Sequence, residues 1–187
     1  RNRKDGKIKT IPEAIMRIGF EQTKKIAVSL MVAKLVNNDE VNYGFNRGDF
    51  WYHSLATALV AEHIAKRAGL KNSSTAYMAG LLHEYGIILY DDYFTEIFLL
   101  ILENSFSKYE SMEKAGKELI GITHTEFTHE LFKKWNLSPD MGLAIKLHKK
   151  FLTLTNEDAS KETQELAVIV GLAEMVVKAA NIGKSCD

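Results

Sequence analysis

The chain has 187 residues, 46% apolar and 26% charged, with 24 Lys and Arg balanced by 24 Asp and Glu. That size suits one domain able to bury a substantial core, and the composition excludes wholesale disorder. Zero formal charge disfavours nucleic acid as a partner, and the single cysteine, Cys186, excludes an intrachain disulfide or a cysteine-based zinc site. A reducing cytoplasm is the expected setting. Apolar runs such as Ile97–Leu102 fall far short of the ~20 residues of a membrane span, so no membrane association is expected. The charged start (Arg1, Arg3, Lys4) is not followed by a signal-like apolar stretch, and the lack of an initiator Met leads us to expect a piece of a longer protein.

In chain order, Thr10-Ile11-Pro12-Glu13 opens a first helix: Thr10 caps, Pro12 fits the first turn and Glu13 completes a capping box. Ala14, Ile15 and Ile18 make its apolar face, and Gly19 breaks it or permits close packing. Residues 21–36 follow as a second helix with Ile26, Leu30, Ala33 and Val36 at helical spacing. Residues 37–49 are polar and glycine-containing, a loop or short helix. Asp49 is placed to cap a long helix over 50–68, ended by Gly69. Ser73-Ser74-Thr75 starts the next, expected to run from Ala76 to about Tyr90. Helices are also expected over 92–104, 108–120, 124–135, 140–151 and 161–180, with a loop at 152–160. With two prolines, Pro12 and Pro139, and no hairpin signal, the expected fold class is all-α: a compact bundle of about eight helices with no internal domain boundary.

Chemistry-bearing residues stand out against this apolar background. His83-Glu84 interrupts the apolar stretch Ala79–Leu82, and Glu174 is the one charge within Val168–Val177. An unpaired buried carboxylate is costly, so Glu174 must be paired, ligate something or face a cavity. His53 shares a helix face with Ala56, Thr57, Val60 and Ile64, and His148 ends the apolar turn 143–147. Imidazoles and carboxylates converging from several helices could hold a divalent cation, which lowers the pKa of a bound water and polarises phosphoryl oxygens. The same residues equally make a hydrogen-bonded polar cluster with no ion. Trp135 reads as a core residue at a helix end, Asp91-Asp92 as a turn and cap, and Lys133, Lys134, Lys146, Lys149 and Lys150 as a solvated basic face. The apolar stretch 96–102 reads as a helix buried on most sides or meeting another subunit.

Trp51-Tyr52-His53-Ser54-Leu55-Ala56-Thr57-Ala58 and Ala76-Tyr77-Met78-Ala79-Gly80-Leu81-Leu82-His83-Glu84-Tyr85-Gly86 resemble the HDOD domain, the HD-related output branch of the HD phosphohydrolase superfamily. Ile11–Gly19, Gly121–Glu126, Leu131–Pro139 and Ala173-Glu174 extend the resemblance over nearly the whole chain. The resemblance implies one domain over 1–187 with an HD-superfamily core, lacking the family's first helices. It also implies metal-ligand positions at His53, His83, Glu84 and Glu174, with the extra histidines of dinuclear relatives at His124 and His148. His63 and His129 match no ligand position and are expected at the surface or half-buried.

Departures from the superfamily pattern weigh against catalysis. Glu84 and Glu174 stand where aspartates are usual, and the lysine after the doublet in cyclic-dinucleotide phosphodiesterases falls on Ile87. No Gly-Tyr-Pro motif follows His148. The resemblance therefore implies a non-enzymatic bacterial signal-transduction module with no catalytic residues. Its partner would be a signalling protein, a neighbouring domain or a second copy, and its His/Glu cluster a polar core or a residual site for Fe, Mn, Zn or Ni. The alternative is a divalent-metal-dependent phosphohydrolase acting on a nucleotide or cyclic dinucleotide, with Lys149 or Lys150 supplying the missing phosphate contact.

Overall fold

The computed structural model describes residues 8–35, 41–42, 45–71, 73–108, 110–155 and 159–184. Among them the chain forms ten α-helices, one short 3-10 helix and one pair of two-residue strands. The expected all-α class holds.

Helix α1 (Ile11–Ile18) starts where the Thr10 side chain accepts a hydrogen bond from the Glu13 amide, and it stops at Gly19. Helix α2 (Phe20–Leu35) follows at once. Its orientation corrects the sequence reading. Ile26 and Leu30 are 50% and 66% exposed, whereas Lys25 and Val32 are buried; Val36 lies outside the described residues. Polar contacts turn the helix this way: Lys25 pairs with Glu62, and the Ser29 and Tyr77 hydroxyls are 2.8 Å apart. None of α1's residues is fully buried either: of its expected apolar face, Ala14 and Ile15 are half-buried and Ile18 is exposed.

Val41–Asn42 (β1) pairs antiparallel with Phe45–Asn46 (β2), elements too short for any alternation to mark them in the sequence. Helix α3 (Arg47–Arg67) begins three residues earlier than expected, because Asn46, not Asp49, supplies the cap: its Oδ1 accepts the Asp49 amide at 2.9 Å. Arg47 then reaches α5 (Tyr85–Tyr93), donating to Asp91 at 2.7 Å and Asp92 at 2.6 Å. Asp91 and Asp92 are thus ion-pair partners on a helix, not a turn.

The expected single helix over 76–90 is two. Helix α4 (Ser73–Leu82) ends at the His83-Glu84 doublet, and α5 leaves in a new direction. Gly86 sits at that corner against the start of α8 (His124–Lys134). A Cβ there would lie 2.2 Å from the His124 carbonyl oxygen, so only glycine allows this approach. Helices α6 (Thr95–Lys108) and α7 (Met112–Ile120) lie between them in sequence. Helix α8 carries the full capping box of Thr123 and Glu126. Helix α9 (Pro139–Leu147) runs into the 3-10 turn His148–Lys150, and α10 (Lys161–Ala179) completes the bundle.

Two apolar clusters flank the middle of the bundle. One is built largely on alanines of α3, α4, α9 and α10, including Ala58, Ala61, Ala79, Ala144, Ala167 and Ala173. Side chains that small let helices pack closely around a common centre. The other joins Phe45, Phe50, Ile87, Phe98, Ile101 and Leu102. Trp135, expected in the core, is 50% exposed beside Tyr85.

Candidate functional site

The close-packed helices bring four of the sequence-predicted residues to one point. His53 comes from the first half of α3, His83 and Glu84 from the break between α4 and α5, and Glu174 from the C-terminal third of α10. One donor atom from each lies within 4.8 Å of all the others. His148 joins at the edge: its Nε2 is 3.2 Å from Glu174 Oε2, and its ring centroid is 5.3 Å from that of His83. His124 is not in this group. It is buried at the start of α8 with Nδ1 3.1 Å from Glu113 Oε1.

The cluster is sealed. His83, Glu84 and His148 have 0% relative exposure, His53 1% and Glu174 5%. A cavity of about 630 Å3 among Leu70, Thr75, Ser138, Met141 and Leu166 shares none of these residues. His129, expected near the surface, is also buried, packed against Gly142, while His63 is exposed.

Backbone carbonyls orient the imidazoles. His83 Nδ1 lies 2.8 Å from the Gly80 carbonyl oxygen, and His148 Nδ1 bonds to the Ile145 carbonyl oxygen. A carbonyl accepts only from N–H, so both rings carry a proton on Nδ1 and turn Nε2 to the centre. Burial lowers the His83 pKa to about 3, and it lowers that of His53 as well. Both are neutral at pH 7. The Nε2 atoms of His53 and His83 and Oε2 of Glu84 have no hydrogen-bond partner among the described residues. Neutral imidazoles with a carbonyl behind them and carboxylate oxygens in front are the donor chemistry of a divalent-ion site. The residues present therefore fit a metal ion.

The carboxylates also have a cation of their own. Lys149 Nζ lies 2.6 Å from Glu174 Oε1 and 3.4 Å from Glu84 Oε1, and Lys178 Nζ lies 2.7 Å from Glu174 Oε1. Burial alone would raise the pKa of both glutamates. The Lys149 ammonium outweighs it at Glu84, and a hydrogen bond from His148 together with Lys149 outweighs it at Glu174, so both are lowered and both side chains stay ionised. Lys149 is thus not on the solvated face the sequence suggested; its side chain is 20% exposed. The available signals were its position directly after His148 and, for Lys178, its spacing of four residues from Glu174 on one helix. Gly171 makes the Lys149 placement feasible. A Cβ there would lie 2.7 Å from the His148 carbonyl oxygen and 2.4 Å from the Phe151 ring, so glycine lets the 3-10 turn rest directly on α10.

An all-helical bundle that gathers histidines and carboxylates at a helix break is the arrangement expected of an HD-type domain. The HDOD domain model matches residues 3–151, and the chain belongs to that family. Its fold is similar to an HDOD domain protein of unknown function from Geobacter sulfurreducens, with TM-score 0.78 and 22% identity over 96% of this chain and 58% of that one. A protein provisionally named a phosphohydrolase, from Shewanella amazonensis, gives TM-score 0.74 and 22% identity over 93% and 61%. One provisionally named a signal transduction protein, from Marinobacter aquaeolei, gives 0.73 and 22% over 96% and 40%. The chain therefore spans between 40% and 61% of the length of these three. No curated protein matches it. No helix among the described residues is long and apolar enough to cross a membrane.

Proposed function

We propose that the chain is a non-catalytic regulatory HDOD module of a bacterial signalling protein, working in the cytoplasm through contacts with a partner protein, an adjoining domain or a second copy. Its His/Glu cluster is a structural centre. The observation that carries this reading is the sealing of that centre, with both carboxylates already engaged by the Lys149 ammonium. A phosphate ester has no contact with the donor atoms in this packing. The membership in the HDOD family and the likeness to a protein provisionally named for signal transduction support a regulatory role. The domain extends through α10, because Glu174, beyond the family match at 3–151, completes the cluster.

A divalent ion such as Fe, Mn, Zn or Ni would be held by His53, His83, Glu84 and Glu174, with His148 at the edge. It would supply Lewis acidity and acidify a bound water. His124 would take no part, since its ring faces Glu113. The unpartnered Nε2 atoms of His53 and His83 also favour a second reading, a metal-dependent phosphohydrolase that opens to admit its substrate.

The two readings separate in a hydrolysis assay. Protein incubated with Mn(II), Fe(II), Zn(II) or Ni(II) is offered nucleoside monophosphates, cyclic mononucleotides, cyclic dinucleotides and p-nitrophenyl esters. The regulatory reading expects turnover indistinguishable from that of His83→Ala. Hydrolysis that requires His83 would establish the enzyme instead.

A further inference from the structure

Lys149 holds a position an ordinary surface lysine does not. It follows His148 in the 3-10 turn, whose backbone lies against Gly171 of α10. From there its Nζ touches one oxygen of each of the two carboxylates in the cluster, Glu174 Oε1 at 2.6 Å and Glu84 Oε1 at 3.4 Å. Lys178 reaches only Glu174, from a side chain 35% exposed. Glu84 and Glu174 are also the only anionic members of the four-residue group that could hold a metal. A divalent ion drawing on both carboxylates would therefore meet an ammonium already bound to them. Two cations sharing one buried pair of carboxylates repel strongly where the surroundings screen little.

We propose that the Lys149 ammonium is the built-in counter-cation of this centre and competes with a divalent ion for Glu84 and Glu174. Metal occupancy and the ion pairs of Lys149 with Glu84 and Glu174 then exclude one another. The ion's arrival displaces the Lys149 ammonium from Glu84 and Glu174, and its loss lets the ammonium return to them. This deepens the reading of the cluster as a structural centre and rests on it.

The test is titration of chelator-stripped protein with Mn(II), followed by calorimetry, for wild type, Lys149→Met, Lys149→Gln, Lys178→Met and His83→Ala. Lys149→Gln keeps a hydrogen-bond donor without the charge and serves if the methionine variant does not fold. Removing the competing charge is expected to tighten Mn(II) binding at least tenfold in either Lys149 variant. Lys178→Met should stay within about threefold of wild type, and His83→Ala should abolish the high-affinity phase. Mn(II) binding to a folded Lys149 variant that is no tighter than to wild type overturns the proposal, as does no binding to any of them. Thermal unfolding of the same metal-free samples separates the two ideas. If the Lys149 variants melt at the wild-type temperature, the structural-centre reading itself fails. If they melt lower yet gain no Mn(II) affinity, only the competition fails.

Discussion

Replacing Glu174 by Leu is expected to lower the unfolding free energy by about 3–5 kcal/mol, the usual cost of removing one partner from a buried ion pair. Glu174 holds Lys149 at 2.6 Å, Lys178 at 2.7 Å and His148 Nε2 at 3.2 Å, so a single carboxylate ties α10 to the 3-10 turn. Lys178 can swing to solvent when that carboxylate is gone. Lys149 is left with Glu84 alone, at 3.4 Å. Leucine has nearly the volume of glutamate, so the loss is electrostatic and not a cavity. Glu174→Gln, which keeps an oxygen acceptor, should lose less than Glu174→Leu. Urea denaturation followed by circular dichroism gives both values. A leucine variant within about 1 kcal/mol of wild type would mean that the ion pairs do not stabilise the bundle, the common result for exposed pairs.

The second large effect is expected at Gly171. Valine there brings its Cβ to within 2.7 Å of the His148 carbonyl oxygen, a backbone atom that cannot rotate away, as well as against the Phe151 ring. Overpacking typically costs 1–3 kcal/mol, and a backbone neighbour places this substitution at the upper end, about 3 kcal/mol. In a domain of this size that corresponds to a melting temperature lower by roughly 6–12 °C. The damage also goes beyond local crowding. Lifting the turn moves His148 and Lys149 together away from Glu174, so Gly171→Val disturbs the ion pairs without changing a charge. Differential scanning calorimetry reads the shift. An unchanged melting temperature would show that the turn does not need its close seat on α10.

Much of this was legible in the sequence, for reasons that act locally. Thr10 caps the first helix as its sequence predicts, and the helices expected from His124 and from Lys161 start at those residues. The loneliness of Glu174 among apolar residues marked a carboxylate that had to be paired, ligate something or face a cavity, and the structure pairs it with Lys149 and Lys178. His53, His83 and Glu84 stood out as polar interruptions of apolar helix faces, and the structure brings them together with Glu174.

What was not legible depends on partners distant in sequence. The break at His83-Glu84 has no proline or helix-ending signal of its own; the residues on both sides are apolar, and the corner is set by the contact of Gly86 with α8. The outward turn of Ile26 and Leu30 follows from Lys25 meeting Glu62, 37 residues away. Arg47 finds Asp91 at a separation of 44 residues, where sequence reading saw only a turn. Lys149 was masked by the lysines around it, since Lys146 and Lys150 share its neighbourhood in sequence but not its carboxylates. Periodicity predicts which face of a helix is apolar. It does not predict which charged side chain will be folded over into the interior.

At the centre of this account is a histidine and glutamate cluster held by the chain's own lysine, serving as the polar core of a regulatory domain. The most direct test is the folding of the protein after exhaustive chelation, read by near-ultraviolet circular dichroism from Trp51, Trp135 and the tyrosines during a urea titration. With Lys149 compensating Glu84 and Glu174, the chelated protein should keep its near-ultraviolet signal and unfold in one cooperative transition. A chelated protein that has lost that signal, and regains it only on adding a divalent ion, would contradict the account and make the metal the element that holds the core together.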